Sequence, residues 1–184
     1  MLNICIQYCQ RFCLQFNPKK SKCMIFGKNF KESLSPIVMD NVSVDYVQEW
    51  KFLGSTITNG KRLSFSVRPD LTSFFRATNA VINVLSDAHP HVLVSLLYSN
   101  CVPILTYACA VKEYSSAEMS DCNLAINNVF RKIFGFKEWQ SIRAIRQYLG
   151  VKSIYEIFKV AQDKFLETGR SHSNPIVRRL ITLT

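Results

Sequence analysis

The sequence predicts an α+β fold: a small, mostly antiparallel sheet with one helix in residues 1–60, then an all-helical bundle in residues 61–184. Three observations lead there. Short apolar runs closed by Gly, Asn-Pro or Asn-Gly fill the first part of the chain, the punctuation of strands and turns. Beyond Gly60 the apolar residues recur at three- and four-residue steps, the period of helices. Apolar residues make up 48% and aromatics 12%, enough for a core and too many for a disordered chain.

Leu2, Ile6, Cys9, Phe12, Cys13 and Phe16 follow helical spacing, and Asn17-Pro18 ends that helix because proline disfavours helical geometry in the residue before it. Cys23 to Phe26, closed by Gly27, reads as a strand. Ile37-Val38-Met39 and Val42-Ser43-Val44 read as two strands around the turn Asp40-Asn41, since Asp and Asn tolerate positive φ. Trp50 to Thr58, ending in Asn59-Gly60, is a further strand or hairpin arm. Leu71 to Leu85 then carries an aromatic stripe at helical spacing, and His89-Pro90-His91 reads as a helix-start turn. Val92 to Tyr107 is predicted as an apolar helix bent near Pro103. Met119 to Phe134 is a helix ended by Gly135. Ser141 to Leu149 and Ser153 to Thr168 are two shorter ones, the second stopped by Gly169, and Asn174-Pro175 supplies the N-cap and first residue of a last basic helix.

Lys and Arg number 23 against 13 Asp and Glu, a net charge of +10 and a pI near 9.4, which favours a polyanionic partner. The excess is concentrated: Arg11, Lys19, Lys20, Lys22, Lys28 and Lys31 all precede the first carboxylate, Glu32. Seven cysteines in no disulfide-scaffold spacing indicate free thiols and an intracellular, reducing compartment. Residues 1–16 lack the basic region and cleavage site of a signal peptide. Val92 to Val111 holds no charged side chain and is about long enough to span a bilayer, but Ser95, Ser99, Asn100, Pro103 and Thr106 favour a buried, broken helix, so no membrane partner is expected.

Two motifs carry the functional reading. Phe16-Asn17-Pro18-Lys19-Lys20-Ser21-Lys22 is a basic turn running into the apolar stretch Cys23 to Phe26, and Trp50-Lys51-Phe52-Leu53-Gly54 is a basic-aromatic turn further on. Together they resemble neighbouring pieces of the palm of a non-LTR (LINE-like) retrotransposon reverse transcriptase. There the first corresponds to the lysine-bearing loop beside the polymerase site and the second to the Lys-Tyr/Phe-Leu-Gly primer grip. Pro103-Ile104-Leu105-Thr106-Tyr107 resembles a helix of that family reading Pro-x-Leu-x-Tyr-Gly, with Ala108 in place of the glycine, and Asn128 to Gly135 resembles a segment following the thumb.

The resemblance implies that residues 1–60 are a palm remnant, that residues 61–184 are the thumb and connecting region, and that the partner is an RNA/DNA template-primer. The nucleic-acid-binding residues it points to are Lys19, Lys20, Lys22, Trp50, Lys51, Phe52, Leu53 and Gly54, with Lys20 or Lys22 nearest the nucleotide phosphates. Phe52 and Leu53 are also compatible with a place in the core, leaving Lys51 and Gly54 toward the primer. The intact family uses Mg²⁺, held by aspartates in an N-terminal half missing from this chain. With no adjacent aspartates, and only Asp40 and Asp45 in the sheet region, no cofactor and no independent polymerisation are expected here.

Other chemistries fit less well. Cys5, Cys9 and Cys13 share a helical face but lack the paired knuckles of zinc sites. Cys101, Cys109 and Cys122 lie in apolar or helical settings, where thiols tend to stay protonated and inert. Arg143, Arg146, Lys152, Lys159, Lys164, Arg170, Arg178 and Arg179 line either a nucleic-acid groove or a solvated helix face. The alternative to nucleic-acid binding is a helical interaction module, the product of a decayed element with no nucleic-acid function.

Overall fold

A computed structural model describes residues 2–29, 34–39 and 42–182 of the chain. It is α+β and divides into two compact units, Met1–Phe65 and Ser66–Thr184.

The first unit holds helix α1 (Leu2–Arg11) and strands β1 (Ile37–Met39), β2 (Val42–Val44), β3 (Glu49–Phe52) and β4 (Ser55–Thr58), with β5 (Ser64–Ser66) at the border of the second. β1 and β2 form an antiparallel pair with Met39 opposite Val42; the turn residues Asp40 and Asn41 lie outside the described residues. β3, β4 and β5 form a second sheet in that order, with Phe52 opposite Ser55. Leu53 and Gly54 join β3 to β4 with φ of 46° and 80°, the pair of positive values that defines the two-residue turn matched to strand twist.

Three sequence expectations are corrected in this unit. α1 ends at Arg11 rather than running to Asn17. Cys13 takes a left-handed φ of 55°, its N–H donating to the Gln10 carbonyl and that of Leu14 to the Cys9 carbonyl, a reversal that closes the helix before the proline is reached. Its expected apolar stripe is covered only in part: Ile6 and Cys9 on α1 are half-buried, whereas Phe12, Cys13 and Phe16, beyond its end, are exposed. Cys23 to Phe26 makes isolated parallel bridges, Cys23 to Tyr46 and Phe26 to Gly60, in place of a continuous strand.

The second unit is helical: α2 (Arg68–Val84), α3 (Pro90–Leu96), a π-turn (Leu97–Cys101), α4 (Val102–Thr106), α5 (Ser116–Phe134), α6 (Arg143–Tyr148), α7 (Ile154–Arg170) and α8 (Pro175–Thr182). α2 packs on the π-turn, α4 and α5; α3 and α7 also pack on α5, and α8 packs on α7. Phe74, Leu105, Ile126, Phe130 and Ile154 fill the core. The bend predicted near Pro103 is the π-turn itself. Proline has no N–H to give the carbonyl four residues back, and the ladder widens just before it, the Val102 N–H reaching the Leu97 carbonyl.

Local caps explain the helix ends. Ser115 with Glu118, and Ser153 with Glu156, form reciprocal capping boxes at the starts of α5 and α7. His89 caps α3 by accepting from the His91 N–H, and Asn174 caps α8 by accepting from the Ile176 N–H at 2.8 Å. Gly135 ends α5 at a φ of 69° as expected. Gly169 does not end α7: it is buried inside the helix, where a Cβ would lie 2.5 Å from Cγ1 of Ile181 on α8. Its missing side chain serves helix–helix approach rather than a stop.

Candidate nucleic-acid interface

The basic turn is held by its own polar groups. Asn17 accepts through its side chain from the Lys20 N–H at 3.2 Å, and its carbonyl accepts from the Lys20 N–H, the Ser21 N–H and the Ser21 hydroxyl. This is the Asx-type turn that asparagine makes with the backbone two or three residues on. It leaves Lys19 and Lys20 exposed. Beside it a shallow depression of about 380 Å³ is lined by Gln15, Phe16, Asn17, Pro18, Lys19 and Val42.

From the turn the chain enters the Cys23 bridge, fixed by the Cys23 N–H on the Asp45 carbonyl and the Val47 N–H on the Cys23 carbonyl, each 2.9 Å. That bridge carries Lys22 to its partners. Its ammonium pairs with the Asp45 carboxylate at 2.5 Å and lies 5.9 Å from the centre of the Trp50 ring. The first unit thus joins the two sequence motifs through one side chain. Lys22 is committed to an ion pair, so the exposed cations of the turn are Lys19 and Lys20.

The hairpin places its residues by strand alternation. Trp50 and Phe52 share one face of β3, and Glu49 and Lys51 the other. Trp50 is half-buried, whereas Lys51 and Gly54 are exposed. Phe52 is 55% and Leu53 76% exposed, which corrects the expectation that these two could be core residues. Both lie at the hairpin tip, Phe52 as the last residue of β3 and Leu53 as the first of the turn. Gly54 occupies the second turn position, and its glycine is required by the backbone whatever else it does.

No three His, Cys, Asp or Glu side chains converge on a point a metal ion could occupy among the described residues. Asp45 is engaged by Lys22, and Asp40 and Glu32 lie outside the described residues. The described residues therefore do not fit a two-metal centre. Cys5 and Cys13 are exposed and Cys9 half-buried. Burial raises the pKa of the Cys101 and Cys109 thiols, and burial with the nearby Asp121 and Asp70 charges pushes Cys122 up to about 12, so all three stay protonated at neutral pH. None of the described helices is long and apolar enough to cross a membrane.

Two clusters in the second unit escaped sequence reasoning. Lys112 is fully buried, its ammonium 3.1 Å from the half-buried Asp70 carboxylate and within 6 Å of the Tyr107 and Tyr114 ring centres. Tyr114 is in turn raised well above the usual phenol pKa by burial and by Asp70. The only signal was a lone lysine closing a long uncharged run, with nothing to identify a partner on another helix. The second cluster, a pocket lined by arginines from α5 and α6, was half visible in Arg143 and Arg146. The C-terminal end of α4 adds a further point: Ala108, standing where the resembled pattern has glycine, takes a φ of 55°, the left-handed region that favours glycine.

No family model, no curated protein and no solved structure matches the chain.

Proposed function

We propose that the chain is the palm-end and thumb region of a LINE-like reverse transcriptase, and that it grips template-primer nucleic acid without itself polymerising. The observation that carries this reading is the joining of the basic turn to the aromatic hairpin through Lys22, Asp45 and Trp50. Around that junction Lys19, Lys20 and Lys51 are exposed and pair with no carboxylate among the described residues, which suits them to phosphates, while Phe52 and Leu53 offer an exposed apolar tip against sugar or base. The left-handed Ala108 supports the same resemblance, since the backbone at that position takes the conformation that favours glycine. Seven free cysteines support a reducing, intracellular setting.

The test is binding of a labelled RNA/DNA primer-template duplex, followed by anisotropy over a range of salt concentrations. Counterion release makes the affinity of the parent chain fall steeply with salt. Reversing Lys19, Lys20 and Lys51 to Glu lowers affinity by about tenfold or more at moderate salt and flattens the slope by about 0.9 per lost phosphate contact. Unchanged affinity and slope would refute the reading. That outcome would favour the second one, a protein-interaction module, for which the exposed Ile4 and Tyr8 on α1, with Phe12 just beyond its end, are the specific observation.

A further inference from the structure

The pocket in the helical unit has the composition of an anion site. It encloses about 550 Å³ between α5, α6 and the start of α7, within the size range of small-molecule sites. Arg131, Arg143 and Arg146 line it, with Glu156 as the one carboxylate.

What distinguishes these arginines is how they are held. Arg146 donates to the Asn127 side-chain oxygen at 3.1 Å and to the Lys152 carbonyl at 3.1 Å; Arg131 donates to the Asn128 side-chain oxygen at 2.9 Å and to the Gln140 carbonyl at 3.3 Å. Every one of those acceptors is neutral. Neither guanidinium has a carboxylate within ion-pair distance among the described residues, and nor does the exposed Arg143. Glu156 turns its carboxylate to the Ser153 N–H at 2.6 Å as the cap of α7. Two guanidinium groups are thus held by neutral acceptors, Arg146 feeling the Glu156 charge only beyond ion-pair distance, and a third is exposed at the rim.

Two further polar side chains of the lining can donate. Ser141 accepts from the Arg143 N–H, which leaves its hydroxyl proton free to donate, and Asn127, with its oxygen on Arg146, can offer its amide N–H groups. Such a set matches an acceptor-only group of high charge, and planar guanidinium groups suit phosphate in particular.

We propose that this pocket is a phosphate-binding site, separate from the basic turn and built to take the phosphate of a nucleotide unit, either free or within a nucleic-acid strand. Arg131 and Arg146 supply the preorganised charge, Arg143 closes on the ligand from the rim, and Ser141 donates the neutral hydrogen bond.

The experiment uses the full chain carrying Lys19→Glu and Lys20→Glu, so that the basic turn no longer contributes and the two sites fail separately. Inorganic pyrophosphate is titrated by calorimetry, and a labelled oligothymidylate by anisotropy, with and without Arg143→Glu. Arg143 is exposed and makes no side-chain hydrogen bond among the described residues, and circular dichroism checks that the variant remains folded. A loss of about tenfold or more in pyrophosphate affinity supports the site with a free phosphate ligand. The same loss for the oligonucleotide alone supports it with a strand phosphodiester. If neither probe binds the parent chain, or if both bind the Arg143→Glu chain equally well, the site is refuted.

Discussion

Lys112 is the residue whose environment is hardest to satisfy. An ammonium removed from water needs a counter-charge, and it has one at 3.1 Å in Asp70, on the first turn of α2, with two tyrosine faces beside it. Removing one partner leaves the other charge stranded. Lys112→Ala should therefore cost about 3 kcal/mol in urea-induced unfolding, at the low end for a broken buried pair because Asp70 keeps 15% of its side-chain surface exposed. Replacing both partners, Lys112→Met with Asp70→Leu, should restore most of that loss, since the pair's attraction mainly offsets its own desolvation. A single variant as stable as the parent would show that water reaches Asp70 freely. Residue identity alone could not reveal this pair, because it joins positions far apart in sequence. By contrast, the inert state of Cys101, Cys109 and Cys122 was legible, because each falls in an apolar or helical stretch whose buried face forms the core.

Elements were legible where one local rule governed them and obscure where two competed. Asn174-Pro175 and Gly135 each serve one purpose, and each marks a helix boundary. Gly169 could equally stop a helix or admit a neighbour, and only the position of Ile181 decides. Cys23 to Phe26 has strand composition, yet strand pairing depends on partners that composition does not name. The capping box of α7 gives a pH-dependent prediction. Glu156 accepts from the Ser153 N–H, and chiefly for that reason its carboxyl is held below the ordinary value of 4.5. A lowered folded-state pKa means that the cap stabilises fully above that ordinary value and is lost as pH falls through the lowered one. Exchange of the first-turn amides of α7, corrected for intrinsic rates, should accordingly speed up on acidification below 4.5. In Glu156→Gln, where the side chain still accepts the bond but cannot titrate, that acid dependence should vanish. Equal acid sensitivity in both proteins would place the titrating group elsewhere.

Across the whole molecule, burial is shared unequally between the two units, and stability should follow it. The apolar cluster of the helical unit runs from Val67 to Phe158 and includes Phe74, Phe130, Leu105 and Ile126 at or below 1% exposure. In the first unit the buried apolar residues among those described are Met39 and Val44, while Ile4, Tyr8, Phe12, Phe52 and Leu53 stay exposed. Apolar burial is the main term opposing chain entropy, and short strands carrying two buried side chains supply little of it. The first unit should open by itself well below the cost of unfolding the second, so the chain is not expected to unfold in one step. Amides in the β3–β4 ladder should exchange at least tenfold faster than those in the middle of α5, a difference of about 1.4 kcal/mol or more in opening free energy. Added primer-template duplex should slow exchange selectively in the first unit if the basic turn and hairpin grip it, because a ligand stabilises the state that it binds. Uniform protection across both units without nucleic acid would refute the unequal division of stability. Protection by the duplex confined to α5, α6 and α7 would shift the interface away from the hairpin and onto the arginine pocket.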